Sequence, residues 1–530
     1  MNGLGSVSVP AASSRSGADG EKRPTVPETF VGHDVLELVS SAMHVDPMAV
    51  YREYVQNAAD AIDAARLAGG LSAAQAGRVD ISVDRATRTV RIRDNGCGVA
   101  AGEFGHRLTA FGGSVKRGRP VRGFRGVGRL AGLAYSQELV FRSRASGDPA
   151  ASELRWDCRK LKALLRERDE ALCLADLVRR VTVLRRLPAA GLPDPFFEVE
   201  MRGIVRLRND ALMSPSAIAA YLSQVAPVPF SPQFRFASAI STQLAHYVDL
   251  TEVEIRIDDA TEPLYRPHRD TFDVAGKPSV SFETLDFLEI PGAEDHVAAV
   301  AWILHHEYQG ALPTESLVKG LRARSGNMQV GGRAVLEGLF PESRFNGWSV
   351  GEVHVIDRRI IPNGRRDNFE QNVHYYNLVN HLGPAARDIA HRCRSSSVRR
   401  KGEREFESQA QAAAELIGVL SQGSVDQLKQ RELALSAEKA LLQMMKIAGR
   451  KLLNDGLIER QKKIEVLRRE LSAVTNEHAT VTSPLARLPD GERKSYEHVF
   501  RLVYECSTNR SAAKALVDRI LLRIAEDGVR

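Results

Sequence analysis

Cysteine is scarce: Cys97, Cys158, Cys173, Cys393 and Cys506 are all that 530 residues contain, and no pair has C-x-x-C spacing. That argues against a disulfide framework and a cysteine-built zinc site, and it fits a reducing compartment. No run approaches the roughly 18–20 apolar residues of a membrane-spanning helix. The N-terminus has no basic start leading into an apolar core, so a secretory leader is not expected and the cytoplasm is the expected location. No repeat of fixed period is evident. Neither GxxxxGK[ST] nor a strand-bound GxGxxG with a following acidic residue occurs, which removes the P-loop and dinucleotide readings.

What is present is the composition of a globular protein, 43% hydrophobic and 26% charged. The length is too great for one ordinary core, so three or four units are expected. The net charge of +7 permits contact with nucleic acid or acidic surfaces, but over this length a solvated mixed-charge surface is the simpler reading.

Residues 1–28, rich in Gly, Ser, Ala and Pro, read as a disordered lead-in. A first helix is expected over Val31–Ala42, and a second begins at Pro47 and ends at Gly69-Gly70. VDISVD and TVRIRDNG alternate and read as a hairpin. QELVFRSR and DLVRRVTVLRRL read as strands, with ELRWDCRKLKALLRERDEALC partly helical between them, and FFEVEMRGI as the last strand of the unit. This order predicts an α+β sandwich with helices on one face of a mixed sheet over residues 29–226. Three prolines in PVPFSP mark a boundary. Residues 233–395, with VEIRID, HVAAVAWILHHEY and WSVGEVHVIDRRIIP as strand-like runs, read as a second α/β domain. From 396 to 530 long helical patterns dominate, and Leu457, Ile458, Ile464, Leu467 and Leu471 form a partial apolar stripe.

Three stretches between Glu53 and Leu130 carry the chemistry. In EYVQNAADAIDAAR, Glu53, Asn57 and Asp60 stand at i, i+4 and i+7 and project from one helix face. Glu53 can orient or deprotonate a water, and the Asn57 carboxamide can ligate Mg2+, a hard cation that keeps several waters. An amphipathic solvated face would show the same pattern. In VRIRDNGCGV, Asp94 at a strand end can accept from the exocyclic amine of a purine, and the glycines admit close backbone approach; an ordinary DNG turn is the alternative. Cys97 there reads as packing. In FGGSVKRGRPVRGFRGVGRLAGLA, glycine-rich backbone feeding a helix N-terminus offers N–H donors to phosphates. Lys116 is its best phosphate candidate or, equally, a solvated lysine.

EYVQNAADA, DNGCGV and GFRGVGRLA together resemble the three nucleotide-binding boxes of the GHKL ATPase superfamily, which includes Hsp90, gyrase-type topoisomerases, MutL and sensor histidine kinases. The resemblance implies a Bergerat-type ATP-binding fold. In it Glu53 is the general base, Asn57 the Mg2+ ligand and Asp94 the adenine-binding carboxylate. Asp60, Gly96, Gly98, Ser114, Lys116, Gly123, Phe124, Arg125, Gly126, Val127 and Gly128 complete the ATP site it implies. The family's Gly-Thr before the last strand is absent, since the approach to FEVEM reads GLPDPF.

LRARSGNMQVG and RFNGWSVGEVHVIDRRIIPNGRRDNFEQN are similar to the middle domain of Hsp90-type proteins, a ribosomal S5-like α/β fold. That resemblance makes Arg366 the γ-phosphate contact, with Arg365 second; a structural salt bridge within RRD is the alternative. The implied function is an Hsp90-like ATPase switch, chaperone-like, with a homodimer formed or a client recruited by the helical tail. The alternative is a MutL- or MORC-like clamp on DNA.

Overall fold

The computed structural model describes residues 46–72, 74–110, 128–166, 173–207, 209–248, 251–273, 279–294, 296–453, 456–476 and 484–527. The helix expected over Val31–Ala42 lies outside them. The chain divides into two compact units: the residues up to Ile218 with Ile255–Thr261, and Ala219–Glu254 with Glu262 onward.

In the first unit, helix α1 (Ala49–Leu67) is built on alanines and on apolar residues at helical spacing. The Asp46 carboxylate accepts from Met48 N at 2.9 Å at its start, and Gly69, at φ +73°, turns the chain away after its end. Hairpin strands β1 (Arg78–Asp84) and β2 (Thr89–Asp94) follow, then α2 (Ala101–Thr109), a 3-10 turn (Gly128–Ala134), β3 (Glu138–Arg144) and β4 (Ala150–Asp157). Helices α3 (Cys158–Arg166) and α4 (Leu174–Val181) precede β5 (Thr182–Pro188) and β6 (Phe196–Arg202). In the chain, α5 (Pro215–Val225), which crosses the division, and α6 (Ala237–Ala245), which belongs to the second unit, precede β7 (Glu254–Ile257). The sheet has seven strands in the order β5-β4-β3-β6-β2-β1-β7. Val50, Tyr54, Val55, Ile62 and the sheet residues Val79, Ile92, Leu139, Phe141 and Val199 are buried.

The ladders β1·β2, β2·β6, β6·β3, β3·β4 and β4·β5 are antiparallel. Two sequence expectations need correction here. DLVRRVTVLRRL is half helix: Leu177, Val178 and Val181 are buried at helical spacing, and the strand begins at Thr182. FFEVEM is not the last strand, because VEIRID supplies β7 on the far side of β1.

In the second unit a short pair, β8 (Thr271–Phe272) and β9 (Val280–Ser281), precedes a five-stranded sheet. Its strands β10 (Thr284–Pro291), β11 (Val297–His305), β12 (Gly320–Ser325), β13 (Met328–Val330) and β14 (Val350–Val355) run in the order β10-β11-β14-β12-β13. Only the β12·β14 ladder is parallel. Helix α7 (Val373–Leu420), capped by Asn372, is 48 residues long and continuous through position 396. Its first half buries Leu378, Leu382, Ile389 and Cys393 against this sheet. Its second half buries Phe406, Ala413, Leu416 and Ile417 against α8 (Gln427–Ala448) and α9 (Leu457–Thr475). Helices α10 (Asp490–Cys506) and α11 (Arg510–Asp527) close the chain around Phe500 and Val517. The stripe expected to seek a partner is largely satisfied within the chain. Ile464, Leu467 and Leu471 are buried in the helical core, while Ile458 stays 71% exposed.

The architecture is therefore mixed α/β with two sheets and a helical C-terminal region. All five cysteines are free, and among the described residues no helix is long and apolar enough to cross a membrane.

The second unit also buries charge. Glu352 receives Arg266 Nη1 and Arg324 Nε, each at 2.6 Å, and lies 3.1 Å from His354 Nε2. Burial opposes ionisation of Glu352, but the two guanidiniums hold its carboxyl well below the usual range. Burial drives His268 the other way, to about 3, so it is neutral. Arg322, beside Gln224 and Gln329, adds a third buried cation. Removing the anion strands these cations. Glu352→Gln is expected to lower stability by about 3–5 kcal/mol, read as a shift of the urea midpoint; an unchanged midpoint contradicts this.

Candidate functional site

Four polar side chains of α1 that would ordinarily face water are buried: Arg52, Glu53, Gln56 and Asp60. Asn57 is half-buried on the same helix. Burying Glu53 brings it against backbone. A Cβ built on Gly128 would stand 1.9 Å from Glu53 Oε2, so only glycine allows the 3-10 turn to pass this carboxylate. The turn is pinned one step further on. Gly132 N donates to the Tyr54 hydroxyl at 2.8 Å, and a Cβ at Gly132 would meet that oxygen at 2.5 Å. Burial raises the Tyr54 phenol far above its ordinary range, which keeps it neutral. Arg52 Nη2 lies 3.9 Å from Glu53 Oε1.

Asp94 ends β2 with 5% of its surface exposed. Gly96 N donates to its Oδ1 at 2.9 Å, yet desolvation outweighs that bond and pushes the carboxyl up to about 7. Its surroundings are backbone-lined. A Cβ at Gly96 would come within 2.7 Å of Ala61, and one at Gly98, whose φ is +65°, within 2.1 Å of Arg144 O. Cys97 N donates to Ala61 O at 3.2 Å, which ties this loop to α1.

The sequence contains no Gly-Thr before β6, and the hydroxyl that joins the loop to that strand comes from β3. Ser143 Oγ accepts from Val99 N at 2.8 Å and donates to Phe196 O at 2.9 Å. Tyr54 and Ser143 escaped the sequence reading; a tyrosine next to Glu53 on the buried side of α1 was the available signal for one, and none existed for the other. Arg129, whose guanidinium donates to Ala110 O, was likewise missed.

Glu53, Asn57 and Asp60 thus share α1, Gly128 touches Glu53, Gly96 contacts Asp94, and Gly98 packs on Arg144. Ser114, Lys116, Gly123, Phe124, Arg125, Gly126 and Val127 lie outside the described residues. Arg366 belongs to the second unit, in a loop closed by the Pro362–Phe369 bridge. It has φ +55°; its N donates to Asn363 O at 3.0 Å and its carbonyl accepts from Gly331 N at 2.8 Å. The Asp367 carboxylate accepts from Asn363 Nδ2 at 2.7 Å, and Arg365 is exposed.

A buried carboxylate at a strand end, a glycine turn pressed on a second carboxylate, and a carboxamide one helical turn away thus lie in one α/β unit beside its sheet. Residues 48–171 match the family model described as histidine kinase-, DNA gyrase B-, and HSP90-like ATPase. The chaperone protein HtpG of Polaromonas naphthalenivorans is 30% identical over 139 residues, 23% of this chain and 22% of that protein. HtpG of Acinetobacter baylyi is 28% identical over 183 residues, 27% of each. The similarity therefore spans about a quarter of these relatives' own length.

Gly128→Ala is expected to displace the turn from Glu53 and abolish nucleotide hydrolysis, while the far-UV dichroism of the chain is unchanged. Activity within twofold of wild type would contradict the contact.

Proposed function

We propose that this protein hydrolyses ATP to ADP and phosphate as an Hsp90-like, chaperone-like ATPase. The observation that carries the reading is the buried Glu53 carboxylate held against the Gly128 backbone, within the domain matched by the ATPase family model. ATP is the substrate. Asp94 accepts from the adenine amine, and Gly96 and Gly98 let the loop after it pack closely on Ala61 and Arg144. Glu53 orients a water toward the γ-phosphorus and takes its proton as the bond to the β,γ-bridging oxygen breaks. Asn57 is the residue that would hold Mg2+, whose charge neutralises the phosphates; one carboxamide oxygen suits a cation that takes its other ligands from phosphate and water.

The finer reading follows the family resemblance. ATP binding favours closure of a lid and of the N-terminal domain, Arg366 meets the γ-phosphate, and hydrolysis reverses the closure. The domain boundaries at 29–226, 233–395 and 396–530, a homodimer through the helical tail, a client protein and a cytoplasmic location belong to the same proposal. A DNA-associated clamp is the second reading, and the concentration of positive charge on α7 favours it.

Steady-state turnover of wild type, Glu53→Ala and Arg366→Ala tests the assignment. Glu53→Ala is expected to keep ATP binding and lose about 100-fold or more in rate. Arg366→Ala is expected to slow turnover with binding retained. Equal activity in all three proteins would overturn it.

A further inference from the structure

Helix α7 has two buried faces, and they do not coincide. Leu382, Ile389 and Cys393 face the five-stranded sheet, whereas Phe406, Ala410 and Ala413 face α8 and α9. Between Arg387 and Arg404, where the burial changes sides, seven Lys or Arg stand against two acids. That net +5 compares with +7 for the whole chain. The basic balance is therefore uneven along the chain: this length of helix is one strongly basic stretch, and residues 116–129, with six Lys or Arg and no acid, are another.

One line of this helix is exposed alongside both cores. Arg387, Arg394 and Lys401 recur at i, i+7 and i+14, with His391 on the same face. Arg387 is exposed, and the side chains of Arg394 and Lys401 are 54% and 74% exposed. Local acids neutralise the line poorly. Arg394 Nη2 shares Glu342, at 2.8 Å, with Arg344, and Lys401 Nζ reaches Glu405 only at 3.9 Å. Nearby Arg400 is held below its usual range by burial first, and then by the charges of Arg404 and Arg399. Such mutual repulsion persists on a surface that gains by meeting an anion.

We propose that the Arg387–Arg394–Lys401 line of α7 is a docking face for the phosphate backbone of a nucleic acid. The line is about 21 Å long at 1.5 Å per residue, and a duplex presents on the order of 12 phosphate charges over that length. The large apolar residue exposed within this stretch is Val398, at 49%; a helix lying in a lipid surface needs a broad apolar face instead. Contact through phosphates alone implies little base preference and a strong dependence on salt.

The face does not rest on the ATPase reading, and its test measures binding alone. Full-length wild type, the triple variant Arg387→Ala/Arg394→Ala/Lys401→Ala, and the charge-keeping Arg387→Lys/Arg394→Lys/Lys401→Arg are titrated into fluorescein-labelled duplex DNA and duplex RNA at several salt concentrations. A second triple, Arg431→Ala/Lys439→Ala/Lys446→Ala, removes the same charge from exposed positions of α8. The alanine triple on α7 is expected to lose at least about tenfold in affinity and to flatten the log–log salt slope by about 3. The charge-keeping and α8 variants are expected to stay within about twofold of wild type. The preferred duplex identifies DNA or RNA as the source of the phosphates. No binding by wild type at low salt, equal losses for the two alanine triples, or tighter binding to phosphatidylserine vesicles with the same dependence on these three residues would each overturn the proposal.

Discussion

A carboxylate proposed to act on a water has to be shielded from bulk solvent yet remain within reach of the reacting group, and the contact of buried Glu53 with a glycine suits that proposal. The α1 helix buries Glu53, and the 3-10 turn comes so close that a Cβ at Gly128 would overlap the carboxylate. Everything nearby supports that approach. Tyr54 fixes the turn at Gly132, Ala61 fixes the loop after Asp94, and Ser143 fixes that loop to β6. Glycine is needed where backbone meets a charged group, and hydroxyls are needed where two backbones must be joined without a ladder.

Much of this pocket was legible in the sequence. Glu53, Asn57 and Asp60 had helical spacing, the β1–β2 hairpin alternated, and Asp94 stood where a strand met glycines. What could not be read was long-range. β7 joins the first sheet from beyond the proline-rich boundary, and no local pattern reports which sheet a four-residue strand will choose. In DLVRRV the order of Leu, Val and Arg satisfies both periods over six residues, and burial of Leu177, Val178 and Val181 decides for helix. The absent threonine before β6 was a real signal of departure from the family pattern. The serine that tethers the loop to β6 stands on a different strand, and it became visible only when β3 and β6 were seen to pair.

The second unit depends on a different device. Its sheet and its helical bundle are joined by one uninterrupted helix whose buried side rotates between them, so the intervening residues face solvent on the side that serves neither core. That side carries one of the chain's strongly basic stretches. The tail's apolar stripe, by contrast, is mostly consumed within the chain. A partner therefore has to be sought on charged surface as much as on apolar surface.

Calorimetric titration of ATP into full-length wild type and Asp94→Asn, in two buffers of different ionisation enthalpy, tests the central claim most directly. Asp94 is half-protonated near pH 7 because burial raises its pKa to about 7. An adenine amine donating to it favours the ionised form, so binding should release a fraction of a proton near neutral pH and none well above it. The account predicts a buffer-dependent heat at pH 7 for wild type that disappears at high pH, with binding lost or severely weakened in Asp94→Asn. Unweakened binding by the variant, or a wild-type heat at pH 7 that ignores the buffer, would contradict it.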